Sequence, residues 1–187
     1  MKNRKSQPGF TLMELLVTIA LIAIFAVIAV PSYRALTADN QIIGALNDFA
    51  NALGAARAEA VARGQTVIVC PSNDPYADPP SCNTAASGSQ EWNQGWISFV
   101  DANDNDKLDS GEKILRVHGP VGNGVTLISS GGVIGFDRMG FANPTFSGNK
   151  TLTSLVVQAC AQGTGHVRGG SVKLVRAGSL STSSGGC

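Results

Sequence analysis

The sequence lacks the short motifs that mark common catalytic and metal-binding sites. It contains no G-x-S-x-G nucleophile elbow, no H-E-x-x-H pair and no phosphate-binding P-loop. None of its four cysteines stands in a C-x-x-C pair, which argues against a zinc site or thioredoxin-type chemistry. The two histidines, His118 and His166, lie in polar or turn-rich surroundings that are typical of surface residues. We therefore expect neither an enzyme nor a protein with a bound cofactor or metal.

Charge is scarce as well. Charged residues make up 14% of the 187 residues, whereas there are 22 glycines and 8 prolines, a composition that favours one compact, sheet-rich domain with many turns. Three of the 14 basic residues (Lys2, Arg4 and Lys5) and one of the 13 acidic residues (Glu14) precede Pro31, which leaves 11 basic against 12 acidic residues in the rest of the chain. This near balance does not require a nucleic-acid partner.

A long apolar run stands near the N-terminus, from Phe10 to Val30, and Glu14 is its one charged residue. About 20 apolar residues in a helix span a bilayer. The run is too long for a secretory signal, and no A-x-A-like cleavage site closes it. By the positive-inside rule, the basic residues before the run keep its N-terminal end in the cytoplasm. We expect a single-pass inner-membrane helix with the domain after Pro31 on the periplasmic side.

Beyond Pro31, apolar residues recur at alternating spacings of four and three, which predicts one amphipathic helix up to about Arg63 with Gly64 as its C-cap. The stripe consists of Ile42, Leu46, Phe49, Leu53, Ala56 and Ala60. A coiled-coil seam would show the same spacing, but the stripe is short, and packing against a sheet is the favoured interpretation.

The remainder alternates between short β-branched runs and turns. Strands are predicted at 65–70, 96–100, 113–117, 125–128, 133–136, 154–160 and 171–176. A long exposed loop, rich in proline, is predicted at 71–90. One long helix followed by strands gives the α+β class, with an antiparallel sheet or sandwich.

The segment GFTLME, from Gly9 to Glu14, closely resembles the class III signal of type IV pilins. The resemblance implies that a prepilin peptidase cuts after Gly9 and that the new N-terminus, Phe10, becomes N-methylated. A carboxylate in a membrane helix is costly, by about 2.5–3.5 kcal/mol near the centre. Glu14 is therefore expected to pair with the free amine of a neighbouring subunit's Phe10 and so to set the stagger between subunits.

Further segments resemble the GspH/FimT family of minor pilins and pseudopilins. These are RAEAV at 57–61 followed by TVIVCP at 66–71, WNQGW at 92–96 followed by FVD at 99–101, and GFDRMG at 135–140. The resemblance implies a type IV pilin-like fold: leader 1–9, transmembrane helix 10–30, amphipathic helix 31–63 and periplasmic β-rich domain 64–187.

The implied function is structural: a minor pilin that helps to initiate or cap a type IV pilus, a filament that serves twitching, adhesion and natural transformation. Its partners would be other pilins, the prepilin peptidase and the inner membrane. A minor pseudopilin of a type II secretion system is the first alternative. A DNA-binding pilin for DNA uptake is the second.

The DNA alternative depends on the C-terminal part of the chain. Some FimT-like members carry a G-R-x-R motif there, but the corresponding stretch here, 178–181, lacks both arginines. Residues 138–187 nevertheless hold five basic and no acidic residues: Arg138, Lys150, Arg168, Lys173 and Arg176. Such a patch suits contact with DNA phosphates, which does not distinguish one base sequence from another. We expect weak DNA binding at most, with Lys173 and Arg176 as the contact residues.

Two features remain open at this point. The loop 101–112 places oxygen side chains at EF-hand spacing, but Asp106 stands where the turn glycine of an EF-hand belongs, so a polar hairpin is favoured over a calcium site. The even cysteine count outside the cytoplasm suggests two disulfides. Four cysteines allow three pairings. We predict Cys70–Cys82, which closes the proline-rich loop, and Cys160–Cys187, which ties down a Ser/Gly tail.

Overall fold

The computed structural model describes residues 10–83, 90–122, 124–146, 150–151, 154–161 and 168–186. The chain divides into two compact units, Met1–Thr37 and Ala38–Cys187. One helix, α1 (Leu12–Arg63), spans the boundary between them, and Pro31 lies inside it. The observed helix agrees with the predicted one, which was expected to run from about Phe10 to Arg63.

The second half of α1 forms the centre of the core. All six residues of the predicted apolar stripe are buried, and together with residues of both sheets they make one hydrophobic cluster. The helix ends where predicted: Gly64 adopts a left-handed φ of 64°, and the Gln65 amide donates to the Ala60 carbonyl. Glycine reaches this conformation without the steric cost that other residues bear. The packing of the stripe on sheet, and not on another helix, is confirmed.

In the described residues, eleven strands follow the helix. They are β1 (Thr66–Pro71), β2 (Gln90–Glu91), β3 (Trp96–Asp101), β4 (Ile114–His118), β5 (Val125–Ser129), β6 (Val133–Phe136), β7 (Ala142–Phe146), β8 (Lys150–Thr151), β9 (Ser154–Ala161), β10 (Arg168–Val175) and β11 (Leu180–Gly186). A first sheet has the order β4-β3-β1-β6-β7-β8, and a second has the order β11-β10-β9-β5-β2. Neighbouring strands pair antiparallel in both sheets. The α+β class is confirmed.

The strands β1, β3 and β6 of the first sheet are buried on both faces. One face of β1 and β3 meets the helix, and the other carries a second cluster of Ile68, Cys70, Ile97, Phe99 and Val133. Leu108 and Cys82, which belong to the two long loops, pack against this second cluster. The loops that the sequence marks as exposed and polar therefore also cover a sheet face, and this explains why β1 and β3 are apolar without alternation.

Four strands were not predicted: β2, β7, β8 and β11. The strand β7 contains Pro144, which cannot donate to a ladder. Among the described residues β8 pairs with Thr145 and Phe146 alone, so β7 has no partner on that side at Pro144 and tolerates the proline there. The predicted Ser/Gly tail is in fact β11, which pairs with β10 from Leu180 to Gly186. The strand predicted to end at Arg176 ends at Val175, so Arg176 lies in the turn after β10.

Candidate functional site: the N-terminal assembly segment

The start of α1 is capped by a side chain. The hydroxyl of Thr11 accepts a hydrogen bond from the Glu14 amide at 3.2 Å, and the Thr11 carbonyl accepts one from the Leu15 amide. Thr11 and Glu14 thus occupy the two positions of a T-x-x-E capping sequence. In a membrane no water can satisfy the first amides of a helix, so a built-in acceptor is worth more there than in solution.

The apolar surface of the first half of α1 has no cover within its own unit. Every described residue from Phe10 to Arg34 is exposed, and Phe10 exposes 78% of its surface. The most apolar window of the helix has a mean hydropathy of 2.8 and is 0% buried. By length and composition α1 is able to cross a membrane. A helix that is apolar on all sides needs lipid or other helices around it.

Hydroxyl groups satisfy carbonyls around Pro31. The proline ring removes one N–H from the helix and crowds the preceding turn. The Ser32 hydroxyl donates to the Ile28 carbonyl at 3.1 Å, and the Thr37 hydroxyl donates to the carbonyls of Tyr33 and Arg34. The carbonyl that loses its amide donor to Pro31 is that of Val27, so these bonds belong to neighbouring turns and do not replace the missing one. The helix nevertheless continues through Pro31.

Glu14 lies on this apolar segment as an exposed carboxylate. No ion pair joins it to another described residue. Phe10 is the first described residue, whereas Gly9 lies outside the described residues. The Thr11 cap was missed by the sequence reasoning, although the T-x-x-E spacing is a readable signal for it.

Two tryptophans fix the helix on the domain. The Phe49 ring meets the rings of Trp92 and Trp96 edge to face, at centroid distances of 5.0 and 5.2 Å. Both tryptophans are buried, and the Trp92 indole donates to the Ser129 hydroxyl at 2.8 Å. A buried indole N–H needs such a partner. The two tryptophans of the W-x-x-G-W segment therefore pack α1 against the sheets.

Arg57 ties the helix to the turn between β10 and β11. Its guanidinium donates to the Gly178 carbonyl at 2.8 Å and to the Ala177 carbonyl at 3.1 Å. Gly178 has a left-handed φ of 76°, and a Cβ placed there would overlap the Gly140 carbonyl oxygen. This turn holds the stretch where some relatives carry G-R-x-R. In this chain two carbonyls of the turn already accept hydrogen bonds from Arg57.

The predicted bridge between Cys70 and Cys82 is present, with Cα atoms 5.6 Å apart. It holds the proline-rich loop over the first sheet. No described cysteine is free. Cys160 lies on β9, whereas Cys187 lies outside the described residues, so the Cys160–Cys187 pairing stays a prediction.

The acidic loop 101–112 is held by its own hydrogen bonds. The buried Asp101 carboxylate accepts the amides of Asn105 and Asp106, and Glu112 accepts the amides of Ala102 and Asp109. The side-chain amides of Asn103 and Asn105 donate to Asp109 and so lower the pKa of that carboxyl below its ordinary value. In the described part of the chain no group of three or more His, Cys, Asp or Glu residues is placed to hold a metal ion.

The structure describes the side chains of three of the five basic residues in the C-terminal part. Lys173 is exposed on β10, where Val156 and Ser181 are its neighbours on the adjacent strands. Arg176 is exposed in the turn that follows. Arg138 is exposed in the turn after β6. The side chains of Lys150 and Arg168 lie outside the described residues.

Comparison with known proteins agrees with this geometry. Residues 45–178 match the family described as "Type II transport protein GspH", and residues 4–30 match the "Prokaryotic N-terminal methylation motif". Two curated proteins of Pseudomonas aeruginosa, both described as "Fimbrial protein", are 39% identical over 64 residues, which is 34% of this chain. The matched region spans only 41% of the length of those relatives.

Among solved structures, the chain is similar to the type IV minor pilin FimU of Pseudomonas aeruginosa, crystallised in space group P21. The TM-score is 0.51 at 17% identity, and the match covers 78% of this chain and 90% of that chain. Likeness at this identity shows a shared fold, whereas the family match covers most of the sequence. The chain therefore belongs to the GspH family of minor pilins and pseudopilins, structural proteins and not enzymes, and it carries the N-terminal methylation motif of pilins.

Proposed function

We propose that this protein is a structural minor pilin that helps to initiate or cap a type IV pilus. The observation that carries the proposal is the uncovered apolar half of α1 joined to a family domain that buries the other half. A helix that exposes an apolar surface all round is stable only in a membrane or in a bundle of similar helices. Transfer from the membrane into a filament core exchanges one apolar environment for the other.

Maturation would prepare the N-terminus for this transfer. In our proposal the prepilin peptidase cuts between Gly9 and Phe10, and the amine of Phe10 is methylated. The carboxylate of Glu14 then pairs with the Phe10 amine of an adjacent subunit. Thr11 caps the helix beside this carboxylate, because its hydroxyl accepts a hydrogen bond from the Glu14 backbone amide.

Before assembly the protein would be a single-pass protein of the inner membrane with its domain in the periplasm. The methylation motif and the apolar helix fit an inner-membrane pilin. Lys2, Arg4 and Lys5 favour a cytoplasmic leader by the positive-inside rule. A periplasmic domain also agrees with the Cys70–Cys82 disulfide, since such bonds form in oxidising compartments.

A minor pseudopilin of a type II secretion system is a second candidate, favoured by the description of the matching family. The same anchor and the same pairing of Glu14 would serve a short periplasmic filament. A DNA-uptake pilin has less support. The stretch 178–181 lacks the arginines of such pilins, and the carbonyls of its turn are engaged by Arg57.

Intact-mass measurement on the protein extracted from membranes tests the proposed maturation. The expected mass begins at Phe10 and includes one methyl group. A retained leader, or a cut after Val30, contradicts the proposal. The same cells are then examined for the protein in filaments sheared from the surface.

Deletion of the gene separates the two candidate machines. Loss of surface pili with normal protein secretion identifies the pilus, whereas loss of secretion with normal pili identifies the secretion system. If the deletion changes neither surface pili nor protein secretion, the result contradicts a role in filament assembly.

A further inference from the structure

The strand β11 offers an open edge. It is the terminal strand of the second sheet and pairs only with β10 among the described residues. Residues 181–186 are all exposed. The sequence LSTSSGG of β11 contains no charge and no proline. Natural sheets protect their edges with charges, prolines, bulges or very short strands, because an open edge is a template for another strand.

The other described edges are protected in these ways. Within the described residues, β2 and β8 comprise two residues each. The strand β4 carries Arg116 and His118, and its register with β3 shifts between Ser98 and Phe99. Among the described edges, β11 is the one that pairs over seven residues and carries neither a charge nor a proline. This difference within one molecule indicates that the β11 edge is kept open for a partner.

An apolar groove of about 170 Å³ lies beside this edge, between α1 and the β10–β11 pair. Helix residues Ile42, Ile43 and Leu46 form its apolar wall, and Ile43 exposes 56% of its surface. The strand approaches the helix closely because Gly170 on β10 stands opposite Leu46 and leaves no room for a side chain. Ser184 is the β11 residue that pairs with Gly170.

We propose that a strand of another membrane-anchored pilin adds to β11 and places apolar side chains in this groove. Main-chain hydrogen bonds to the edge would supply affinity, and every second side chain of the added strand would face α1. This inference rests on the proposed function, since it names the contact through which the domain meets its neighbour.

The chemistry of the groove argues against a second β11 as the occupant. The helix-facing residues of β11 after Leu180 are Thr182 and Ser184, because they pair with Val172 and Gly170. These small polar side chains would leave the groove beside Ile43 unfilled. The partner strand must therefore differ from β11 and carry apolar residues at alternate positions.

The size of the contact argues for a partner that shares the membrane. A six-residue strand is about 20 Å long, and covering it buries well under the roughly 1,200–2,000 Å² of a stable soluble complex. Two proteins anchored in one membrane meet at a raised effective concentration, which on flexible linkers reaches about millimolar. A small strand contact is then sufficient.

Hydrogen exchange on the full-length protein tests the backbone contact. The protein is compared in detergent extracts and in filaments sheared from cells that produce their complete set of pilins. We expect the exposed amides of 181–186 to exchange at least tenfold more slowly in filaments. Filaments that contain the protein but leave these amides unprotected overturn the inference and leave the proposed function intact. A protein that never enters filaments overturns both.

Substitutions test the groove. Ser184→Lys introduces a charge on the helix-facing side of β11, and Gln158→Lys introduces the same charge at an exposed position of β9, away from the edge. We expect Ser184→Lys to lower the share of the protein in filaments at least tenfold and Gln158→Lys to change it less than twofold. Equal effects of the two variants contradict the inference.

A second pair removes apolar surface instead. Ile43→Ser takes the exposed apolar side chain from the groove, and Val61→Ser takes a side chain of similar exposure, 53%, from the other end of the helix. The first should impair assembly more than fivefold and the second should not. Thermal unfolding of all four variants is measured, because a loss of assembly counts only for variants that fold as the parent does. Normal assembly of a folded Ile43→Ser variant overturns the inference.

Discussion

Gly178→Ala tests whether the β10–β11 turn is held by the helix. Gly178 has a left-handed φ of 76°, and a Cβ there would overlap the Gly140 carbonyl oxygen and lie 2.8 Å from the guanidinium carbon of Arg57. Neither neighbour can move away easily, because the Gly140 oxygen is a main-chain atom and the Arg57 guanidinium is hydrogen-bonded to the turn. The turn must therefore move away from the helix to admit a methyl group.

Gly64→Ala is the matched control. Gly64 also has a left-handed φ, 64°, but a Cβ there meets nothing within 4 Å. The left-handed conformation costs a non-glycine residue about 1–2 kcal/mol, and this cost applies to both variants. Gly178→Ala in addition weakens the two hydrogen bonds from the Arg57 guanidinium, at about 1.5–3 kcal/mol for a bond to a charged group and less where it is exposed. We expect Gly178→Ala to cost about 1–3 kcal/mol more than Gly64→Ala.

Urea unfolding of the full-length protein in detergent measures the difference. The buried Trp92 and Trp96 report on the helix–sheet core by fluorescence. With a slope of about 1–3 kcal/mol per molar urea, a difference of 2 kcal/mol separates the two midpoints by roughly 1 M. Equal midpoints refute the reasoning. In an Arg57→Ala background the extra cost of Gly178→Ala should shrink, and an unchanged cost shows that Arg57 does not hold the turn.

Three further predictions concern assembly, disulfides and DNA. Glu14→Ala should insert into the membrane as well as the parent or better, since a costly charge is gone, but it should be depleted from sheared filaments; equal amounts of variant and parent there contradict the Phe10–Glu14 pairing. Non-reducing peptide mapping should join Cys160 to Cys187, and a peptide that joins Cys187 to any other cysteine refutes that pairing. The protein should bind DNA no tighter than about 10⁻⁵ M near physiological salt, measured by fluorescence anisotropy. Binding at least tenfold tighter than this limit would instead favour the DNA-uptake function, if it is lost when Lys173 and Arg176 are both replaced by Ala.

The parts of the fold that the sequence predicts are those with a local apolar pattern. The stripe on α1 repeats with helical spacing, so its burial could be read before any partner was known. The strands β1 and β3 are continuous apolar runs, and β6 was predicted with its observed bounds. The N-terminal methylation motif could be recognised in the same way, since a single charge in a membrane-length apolar run stands out in sequence, and the role of Glu14 in assembly stays a prediction.

The parts that were missed depend on contacts distant in sequence. The strand β11 has few strand-forming residues, and it is a strand because it pairs with β10. The Arg57 contact joins residues 121 positions apart, so no local pattern could reveal it. The covering of the first sheet by Leu108 and Cys82 likewise appears only when the loops are folded back. The Thr11 cap is different, because its spacing was readable.

Several residues of the family motifs in the domain make packing contacts inside the molecule, which bears on where specificity resides. Trp92 and Trp96 pack on Phe49, Arg57 binds the turn at Gly178, and Phe136 is buried. These residues hold the helix on the sheets. The N-terminal segment would provide a contact that all subunits of a filament share. The choice of neighbour must then come from surface outside the motifs, and in this chain the uncharged β11 edge beside Ile43 is the surface best suited to it.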